Sequence, residues 1–351
     1  MYILAINPGA TSTKFALFDN EVELFREDLK IPREKVSQYK TLVDQLDDRY
    51  ESIYESIKQA GYNPEDIEIA VGRGGILPPV DAGAIAVTDE LIDYLLHNSE
   101  VLHPANLGAS IAQKFVDQAK SCVAYIYDPI SVDQLDDIAR ISGLKGIERK
   151  SIGHMLNSRA VAIKHAEDTN TPYDTLNLIV VHAGSGITVT AHRQGRMIDL
   201  VGDDEGSFSP ERSGGLPLRP FAQLCYNEDV KGVTKLTRHE GGLVSYFKTN
   251  DVREIEALID SGNEEAAIVL EAMAYQIAKS IGELSTVLKG DVDAIVISGG
   301  FARSNRVMNW IKERVEFIAP LNIYPGEFEL EALSSGGLRA YQGKEKIQYF
   351  K

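Results

Sequence analysis

The hydrophobic pattern at the start of the chain is that of short buried strands. Residues 2–6 and 14–18 are apolar runs joined by a glycine-containing turn, and residues 22–29 continue after Asp19-Asn20. Apolar runs bounded by turn residues predict a meander of three strands. From position 36 to position 57 the apolar residues recur every three or four positions and Gly61 follows, so this stretch predicts an amphipathic helix that ends at a glycine.

Strands and helices continue to alternate along the rest of the chain. Strands are predicted at residues 67–71, 123–127, 178–181, 187–191, 197–201 and 294–297, and helices at residues 104–119, 152–167, 264–288, 304–315 and 327–341. The stretch from 178 to 201 repeats the N-terminal order of an apolar strand, a polar residue, a small-residue turn and a returning strand. We therefore expect an α/β fold with a distant internal duplication.

Composition refines this expectation. A chain of 351 residues with 44% hydrophobic content exceeds what one core usually organises, so we expect two lobes. The net charge of −16 disfavours nucleic acid or an anionic membrane as the main partner. Cys122 and Cys225 are the only cysteines, without CxxC spacing, and no apolar run is long enough to cross a bilayer. A soluble, cytoplasmic protein is expected.

The first small-residue turn, from Asn7 to Lys14, is a candidate phosphate cradle. The backbone around Gly9, the hydroxyl of Ser12 and the cation of Lys14 could approach phosphate oxygens closely, and Asn7 adds a neutral donor at the strand end. The spacing is not that of a Walker A loop. An ordinary hairpin, in which Gly9 only relieves a positive φ, explains the segment equally well.

Two further glycine-containing turns follow buried strands. The second turn runs from His182 through Gly184 and Ser185 to Gly186, and two such turns from two lobes could grip a polyphosphate from opposite sides. Gly299-Gly300 is the third, where backbone could lie against an adenosine. A plain strand-to-helix turn explains this third glycine pair as well.

Two arginines stand among small residues. Arg73 lies between glycines directly after a predicted strand, and Arg212 is framed by Ser209-Pro210 and Ser213-Gly214-Gly215. Forked guanidinium groups in such positions could bind a carboxylate and a transferring phosphoryl group. Pairing with surface carboxylates is the alternative for each.

Four other ionisable side chains are candidates. Asp128 ends a predicted strand, and the proline after it favours an extended conformation that would project the carboxylate from the sheet edge, although a turn role is also open. His103 and His154 lie near small or helix-starting residues, where a structural role is the common one. Glu329 opens the last helix as a dipole partner or as a carboxylate that holds Mg²⁺ through water.

Taken together, these segments resemble the acetate and butyrate kinase family. The resemblance spans nearly the whole chain in the same order, and residues 72–75, 103–109, 208–217 and 324–327 resemble the butyrate kinase branch. It implies a duplicated, two-lobed, ribonuclease H-like α/β fold with a central cleft, the superfold of acetate and sugar kinases, Hsp70 and actin. The first lobe, expected at 1–152 plus 331–351, would carry the acyl substrate and the first turn, and the second lobe, expected at 153–330, the nucleotide.

The resemblance also implies an activity: reversible, Mg²⁺-dependent phosphoryl transfer between ATP and a short-chain fatty acid, giving an acyl phosphate and ADP. Homo-oligomers are common in the family. The implied roles are distributed over residues that match the family's motifs. The nucleotide phosphates would contact Asn7, Gly9, Ser12, Lys14, His182, Gly184, Ser185 and Gly186; the adenosine would border Gly299 and Gly300; Arg73, Arg212, Asp128 and His154 would serve the reacting groups; His103 would support them; and Glu329 would position Mg²⁺.

Departures from the family pattern bear on specificity. Gly75 stands where the acetate branch has a bulkier residue, and Gly153 where a Phe commonly precedes the histidine. We expect these two glycines to leave room for a longer or branched acyl chain, as in butyrate. An acetate or propionate kinase, a sugar kinase and a non-catalytic ATP-binding clamp of the same superfold are the alternatives.

Overall fold

The computed structural model describes residues 1–36 and 38–351. They form two compact units, Met1–Asp133 with Phe328–Lys351 (unit 1) and Gln134–Glu327 (unit 2). The strands are β1 (Tyr2–Pro8), β2 (Ser12–Asp19), β3 (Val22–Lys30), β4 (Ile67–Arg73), β5 (Ala84–Ala86), β6 (Val123–Tyr127), β7 (Asn177–Ala183), β8 (Ile187–Arg193), β9 (Arg196–Val201), β10 (Ala294–Gly299), β11 (Leu321–Pro325) and β12 (Gln348–Tyr349). The helices are α1 (Arg33–Val36), α2 (Leu46–Gln59), α3 (Asp89–Asp93), α4 (Leu107–Gln118), α5 (Asp137–Arg140), α6 (Met155–Asp168), α7 (Leu218–Asn227), α8 (Val230–Arg238), α9 (Gly242–Phe247), α10 (Val252–Asp260), α11 (Glu264–Val287), α12 (Asn305–Val315) and α13 (Glu329–Tyr341).

Unit 1 is built on a seven-stranded sheet in the order β12-β5-β6-β4-β1-β2-β3. Strand β1 pairs antiparallel with β2 and parallel with β4. Alternate side chains of β1 and β2, such as Ile6 and Phe15, pack on one face against Ile53 of α2 and Phe115 of α4. Helix α13 packs against β1 and β4 with its glycines close to the sheet, so the unit has helices on two faces.

Unit 2 repeats this arrangement on a five-stranded sheet in the order β11-β10-β7-β8-β9. Strand β7 pairs antiparallel with β8 and parallel with β10, as β1 does with β2 and β4. The long helix α11 buries Met273, Ile277 and Ile281 in the core of this unit. The shared order of strands agrees with the duplication predicted from the sequence.

The predicted helix at 36–57 is wrong in its first part. Helix α2 begins at Leu46, and Val43–Gln45 forms a separate 3₁₀ turn. The carboxylate of Asp44 accepts hydrogen bonds from the backbone N–H groups of Lys40 (2.9 Å) and Thr41 (2.8 Å), so a local side-chain bond takes the place of helical pairing. Position 37 of the predicted helix lies outside the described residues.

The boundary between the units lies at 133/134 rather than at 152/153. Segment 134–150 is hydrogen-bonded to β9. The Met197 N–H donates to the Gln134 side chain (3.1 Å), and the Asp136 N–H donates to the Ile198 carbonyl (2.9 Å). Arg149 adds an ion pair with Asp199 at 2.9 Å. These polar contacts tie the segment to unit 2, and a hydrophobic pattern does not reveal them.

Helices α7 and α8 carry exposed apolar side chains. Every residue of both helices is half-buried or exposed, and Leu218, Tyr226 and Val230 are each more than 80% exposed, at 82%, 86% and 83%. Neither helix is among those predicted from the sequence. Among the described residues, no helix combines the length and the apolar character needed to span a membrane.

We predict that Arg149→Met loosens the 134–150 segment. The substitution leaves the carboxylate of Asp199 without its cation, which costs about 2–4 kcal/mol of unfolding free energy for a largely buried pair. Denaturant unfolding and mass-mapped limited proteolysis would measure the loss of stability and faster cleavage within 134–150. Arg306→Met, which removes a more exposed pair with Asp260, is the control and should change little. Equal protection of the segment in both variants would contradict the prediction.

Candidate active site

Arg73 is held at the end of β4 by close contacts of the glycines around it. A Cβ at Gly72 would collide with the Gly108 carbonyl, one at Gly74 with the Pro129 ring, and one at Gly75 with the Asn106 side chain. Glycine is therefore required at all three positions by the approach of neighbouring residues. The backbone that carries Arg73 is fixed on three sides.

The side chains of Asn7, Arg73 and Glu329 meet in unit 1. Arg73 Nη1 lies 3.2 Å from Glu329 Oε1 and 3.3 Å from the acceptor Asn7 Oδ1. Asn7 Nδ2 donates to the other Glu329 oxygen, and Asn7 is only 6% exposed. The structure thus brings together three residues that the sequence analysis selected separately.

The first turn adjoins this cluster. Asn7 is paired across the hairpin with Lys14, and directly opposed residues of an antiparallel pair share a face of the sheet. The Gly9 N–H donates to the Ser12 carbonyl at 2.8 Å, which closes the turn between β1 and β2. All four predicted residues of this turn therefore lie at one end of the hairpin.

Asp128 follows β6 in a left-handed backbone conformation, with φ of 39°. The extended conformation expected before a proline is therefore wrong. Asp128 Oδ1 accepts from the Gly83 N–H at 2.6 Å while the Asp128 N–H donates to the Gly83 carbonyl at 3.1 Å, and this two-bond clamp holds the strained backbone. Strain of this kind costs roughly 1–3 kcal/mol and is concentrated at functional sites.

His103 and Asn106 order the segment in front of α4. His103 Nδ1 accepts from the Ala105 N–H at 3.1 Å, so the ring is a cap, and burial, followed by the charge of Arg73, lowers its pKa. Asn106 is fully buried; its Oδ1 accepts from the Ile76 N–H at 3.0 Å and its Nδ2 donates to the Leu95 carbonyl at 2.8 Å. Asn106 lies within the motif at 103–109 but was not selected as a site residue, because its hydrogen bonds to Ile76, Leu95 and Val101 leave no signal in the hydrophobic pattern.

In unit 2 the second turn lies against Arg212. The Gly184 N–H donates to the Gly186 carbonyl at 3.0 Å, and a Cβ at Gly186 would collide with the Arg212 guanidinium. Gly299, with φ of 100°, packs on the Ala183 backbone at the start of the same turn. The glycines predicted at 184, 186 and 299 and the arginine predicted at 212 therefore form one cluster.

Asp203 is a site residue that the sequence analysis missed. Its Oδ2 forms an ion pair with Arg212 Nη1, and its Oδ1 is buried without a hydrogen-bond partner in the described part of the chain. Burial raises the pKa of Asp203, and the charges of Arg212 and Arg238 oppose that shift. The residue lies in a run of acidic residues, which from sequence alone reads as an exposed charged turn.

His154 and His182 stack on each other in unit 2, with ring centroids 4.5 Å apart. His154 Nδ1 lies 2.8 Å from Thr188 Oγ1. A Cβ at Gly153 would lie 2.7 Å from Thr188 Cγ2. The structure therefore joins His154, one predicted site residue, to the end of β7.

Gly75 and Gly153 do not face open space at the place where a side chain would begin. The Asn106 side chain fills that space at Gly75, and the Thr188 methyl group fills it at Gly153. We expected these glycines to leave space for a longer acyl chain. Close packing against Asn106 and Thr188 is instead sufficient reason for a glycine at each position. The identity of the acyl pocket stays a prediction.

Comparisons with solved structures identify the fold. The crystal structure of acetate kinase from Porphyromonas gingivalis superimposes with a TM-score of 0.78 at 18% identity, covering 97% of this chain and 99% of that one. A ROK family glucokinase from Streptomyces griseus gives a TM-score of 0.51 at 13% identity, covering 98% of this chain and 100% of that one. The fold is that of the acetate and sugar kinase, Hsp70 and actin superfold.

Sequence comparison places the chain more narrowly. The family model described as "Acetokinase family" matches residues 142–323. Butyrate kinase 1 of Clostridium acetobutylicum is 42% identical over 353 aligned residues, which cover 99% of each chain. The chain belongs to the acetokinase family.

We predict that Gly75→Ala destabilises unit 1. The new methyl group would meet Asn106, and overpacking of this kind costs about 1–3 kcal/mol. Gly282→Ala is the matched control: apart from the backbone of α11 itself and the chain neighbours, no atom of the described residues lies within 4 Å of a Cβ there, so stability should stay unchanged or rise slightly. Denaturant unfolding of both variants measures the difference. A fully stable Gly75→Ala protein would show that Asn106 can move aside and would restore the interpretation as open room.

Proposed function

We propose that this chain is a carboxylate kinase that transfers a phosphoryl group between ATP and a short-chain fatty acid, butyrate or a branched analogue. The observation that carries the proposal is that each unit joins a small-residue turn to a fixed arginine. In unit 1 Asn7, at the start of the first turn, contacts Arg73. In unit 2 Gly186 of the second turn contacts Arg212. Membership of the acetokinase family and the 42% identity to a butyrate kinase support the choice of acceptor.

The chemistry needs cations more than it needs a base. A carboxylate is ionised at neutral pH, so its oxygen attacks the γ-phosphorus directly, and the bond from that phosphorus to the β–γ bridging oxygen breaks with the electron pair leaving on ADP. No net proton is moved. The barrier is the approach of two anions, which positioned guanidinium groups lower. The mixed anhydride product is high in energy, so the reverse reaction that forms ATP is equally accessible.

We assign roles accordingly. Arg73 and Arg212 bind the carboxylate and the phosphoryl group in transfer, and His154 donates a hydrogen bond to the equatorial oxygens. Asp128, whose carboxylate already accepts the Gly83 N–H, orients groups and does not act as a base. His103 supports Arg73 as a neutral ring.

The nucleotide is assigned to the two turns. Asn7, Gly9, Ser12 and Lys14 of the first turn, and His182, Gly184, Ser185 and Gly186 of the second, contact its phosphates, while Gly299 and Gly300 border the adenosine. Apart from its chain neighbours, no atom of the described residues lies within 4 Å of a Cβ at Gly300, which supports the last assignment, since the backbone there is open to a flat ligand.

Glu329 is the residue proposed to hold Mg²⁺. Among the described residues no group of three or more His, Cys, Asp or Glu side chains is arranged to bind a metal. Mg²⁺ is commonly held by one or two carboxylates together with substrate phosphates and water, and a single carboxylate beside Asn7 of the first turn fits that mode. When bound, the ion supplies charge neutralisation of the phosphates.

A hydroxamate assay tests the proposed activity. Incubation with ATP, Mg²⁺, hydroxylamine and acetate, propionate, butyrate, isobutyrate or isovalerate should give acyl hydroxamate, with butyrate or a branched acid preferred. Arg73→Met should lower turnover roughly 10³-fold, by analogy with other arginines that stabilise a transferring phosphoryl group. Arg306→Met, on α12 and paired with Asp260, is the control and should retain wild-type turnover.

Three outcomes would contradict the proposal in different ways. A clear preference for acetate would place the chain with acetate kinases in its specificity. Nucleotide binding without any acyl product would favour a non-catalytic clamp, and phosphorylation of a sugar would favour a sugar kinase.

We further propose that the protein is a cytoplasmic homo-oligomer in which the apolar faces of α7 and α8 contact a second copy. The exposure of Leu218, Tyr226 and Val230 on two consecutive helices supports this, since large apolar side chains left in water are typical of an interaction surface. Sedimentation should give more than one copy per particle, and Tyr226→Glu with Val230→Glu should shift it toward the monomer. Phe317→Glu, at another exposed apolar residue, is the control. A wild-type monomer would refute the proposal.

A further inference from the structure

Arg49 is a buried arginine beneath the first turn. It lies near the start of α2 and is only 2% exposed. All five of its N–H groups are used: Nη2 donates to the Gly9 carbonyl (2.9 Å), Nη1 to the Ser12 carbonyl (3.0 Å) and Thr13 Oγ1 (2.6 Å), and Nε and Nη2 to Gln45 Oε1 (3.2 and 2.8 Å). Because no N–H group is left over, Arg49 has none to offer a ligand and can act only through the turn.

The charge of Arg49 has no counter-ion. Its partners are carbonyl, hydroxyl and amide oxygens, and no carboxylate in residues 1–36 or 38–351 is among them. Burial lowers its pKa accordingly. The neighbouring Asp48 is paired with Lys35 at 2.9 Å instead. A buried unpaired cation is costly, so its field is expected to serve a ligand.

The turn itself is arranged to present donors. The carbonyls of Gly9 and Ser12 are bound by Arg49, and that of Thr11 accepts from the Ile31 N–H at 2.8 Å. The backbone N–H groups of Ala10 and Thr11 donate to no backbone carbonyl of the described residues, and both residues are exposed. Successive free N–H groups with their carbonyls drawn away make an anion-binding concavity.

The geometry points to Arg49 as a positioning residue that shapes the first turn and gives it the positive charge with which it binds nucleotide phosphate. This inference rests on the proposed function for the identity of the anion. Arg49 of α2, which belongs to none of the sequence motifs, would thus help to set nucleotide affinity without touching the nucleotide.

Gln45→Glu separates charge from shape. The substituted carboxylate can accept the same two Arg49 hydrogen bonds, but it neutralises the guanidinium. Calorimetric binding of ADP should weaken about 3- to 10-fold, since one unit charge is cancelled close to the turn. The unfolding midpoint should stay at or above that of the wild type. In the kinase assay, KM for ATP should rise in parallel with KM for butyrate unchanged.

Arg49→Met and Arg49→Lys extend the series. Methionine removes charge and bonds together and should weaken ADP binding by more than about 10-fold, whereas lysine keeps the charge and should recover part of that loss. Arg314→Met is the control: Arg314 is a half-buried arginine bonded to the Trp310 carbonyl and Glu271, contacts no proposed site residue and should bind ADP as the wild type does.

The outcomes discriminate the two proposals. Wild-type ADP affinity in Gln45→Glu would overturn the inference, because Arg49 would then only support the fold. A wild-type protein that binds ADP but forms no acyl hydroxamate would refute the proposed function alone, and the inference would then be judged on the ADP affinities. A wild-type protein that binds no ADP would overturn both.

Discussion

The close approach of backbone to backbone at a few glycines is the constraint on which both clusters depend. Gly72 and Gly108 face each other, so the start of α4 lies directly against the end of β4 where Arg73 stands. In unit 2, Gly299 lies on the Ala183 backbone and Gly186 on the Arg212 guanidinium. A side chain at any of these positions would push an arginine or a turn out of place, and a displacement of about 1 Å is enough to lower catalysis strongly.

Electrostatics explains why a few arginines have to be positioned so closely. The chain carries a net charge of −16, yet its proposed substrates are anions. Long-range attraction therefore works against binding, and affinity has to come from local cations whose neighbours do not cancel them. Arg73 is paired with the carboxylate of Glu329, and Arg212 with that of Asp203. Each pair holds its arginine in place but offsets part of the positive potential that a ligand would meet. Arg49, with neutral partners only, is the exception.

Much of this could be predicted from the sequence. Strands such as 123–127 and the helix at 264–288 were placed within a residue because their apolar runs are bounded by clear turn residues. Asn7, Arg73 and Glu329 were selected by residue type and motif, and the structure joins them. The predictions that were wrong share a physical cause. The start of α2, the conformation of Asp128 and the assignment of segment 134–150 are each decided by a hydrogen bond from a polar side chain, which an apolar pattern does not reveal. Helices α7 and α8 were not predicted, although their apolar residues recur at helical spacing; every residue of both is half-buried or exposed.

The duplication makes a comparison within the molecule possible. Strands β4 and β10 hold equivalent places, each parallel to the first strand of its sheet, and each ends in glycines. In unit 1 that end carries Arg73 between its glycines, whereas in unit 2 Gly299 and Gly300 are adjacent in sequence, and the next arginine, Arg303, comes only at the end of the 3₁₀ turn that follows. On the proposed function, the first end meets a transferring anion and the second an uncharged adenosine. A glycine-containing strand end therefore suits a charged ligand in one unit and an uncharged ligand in the other, and the two ends differ in whether an arginine lies between the glycines.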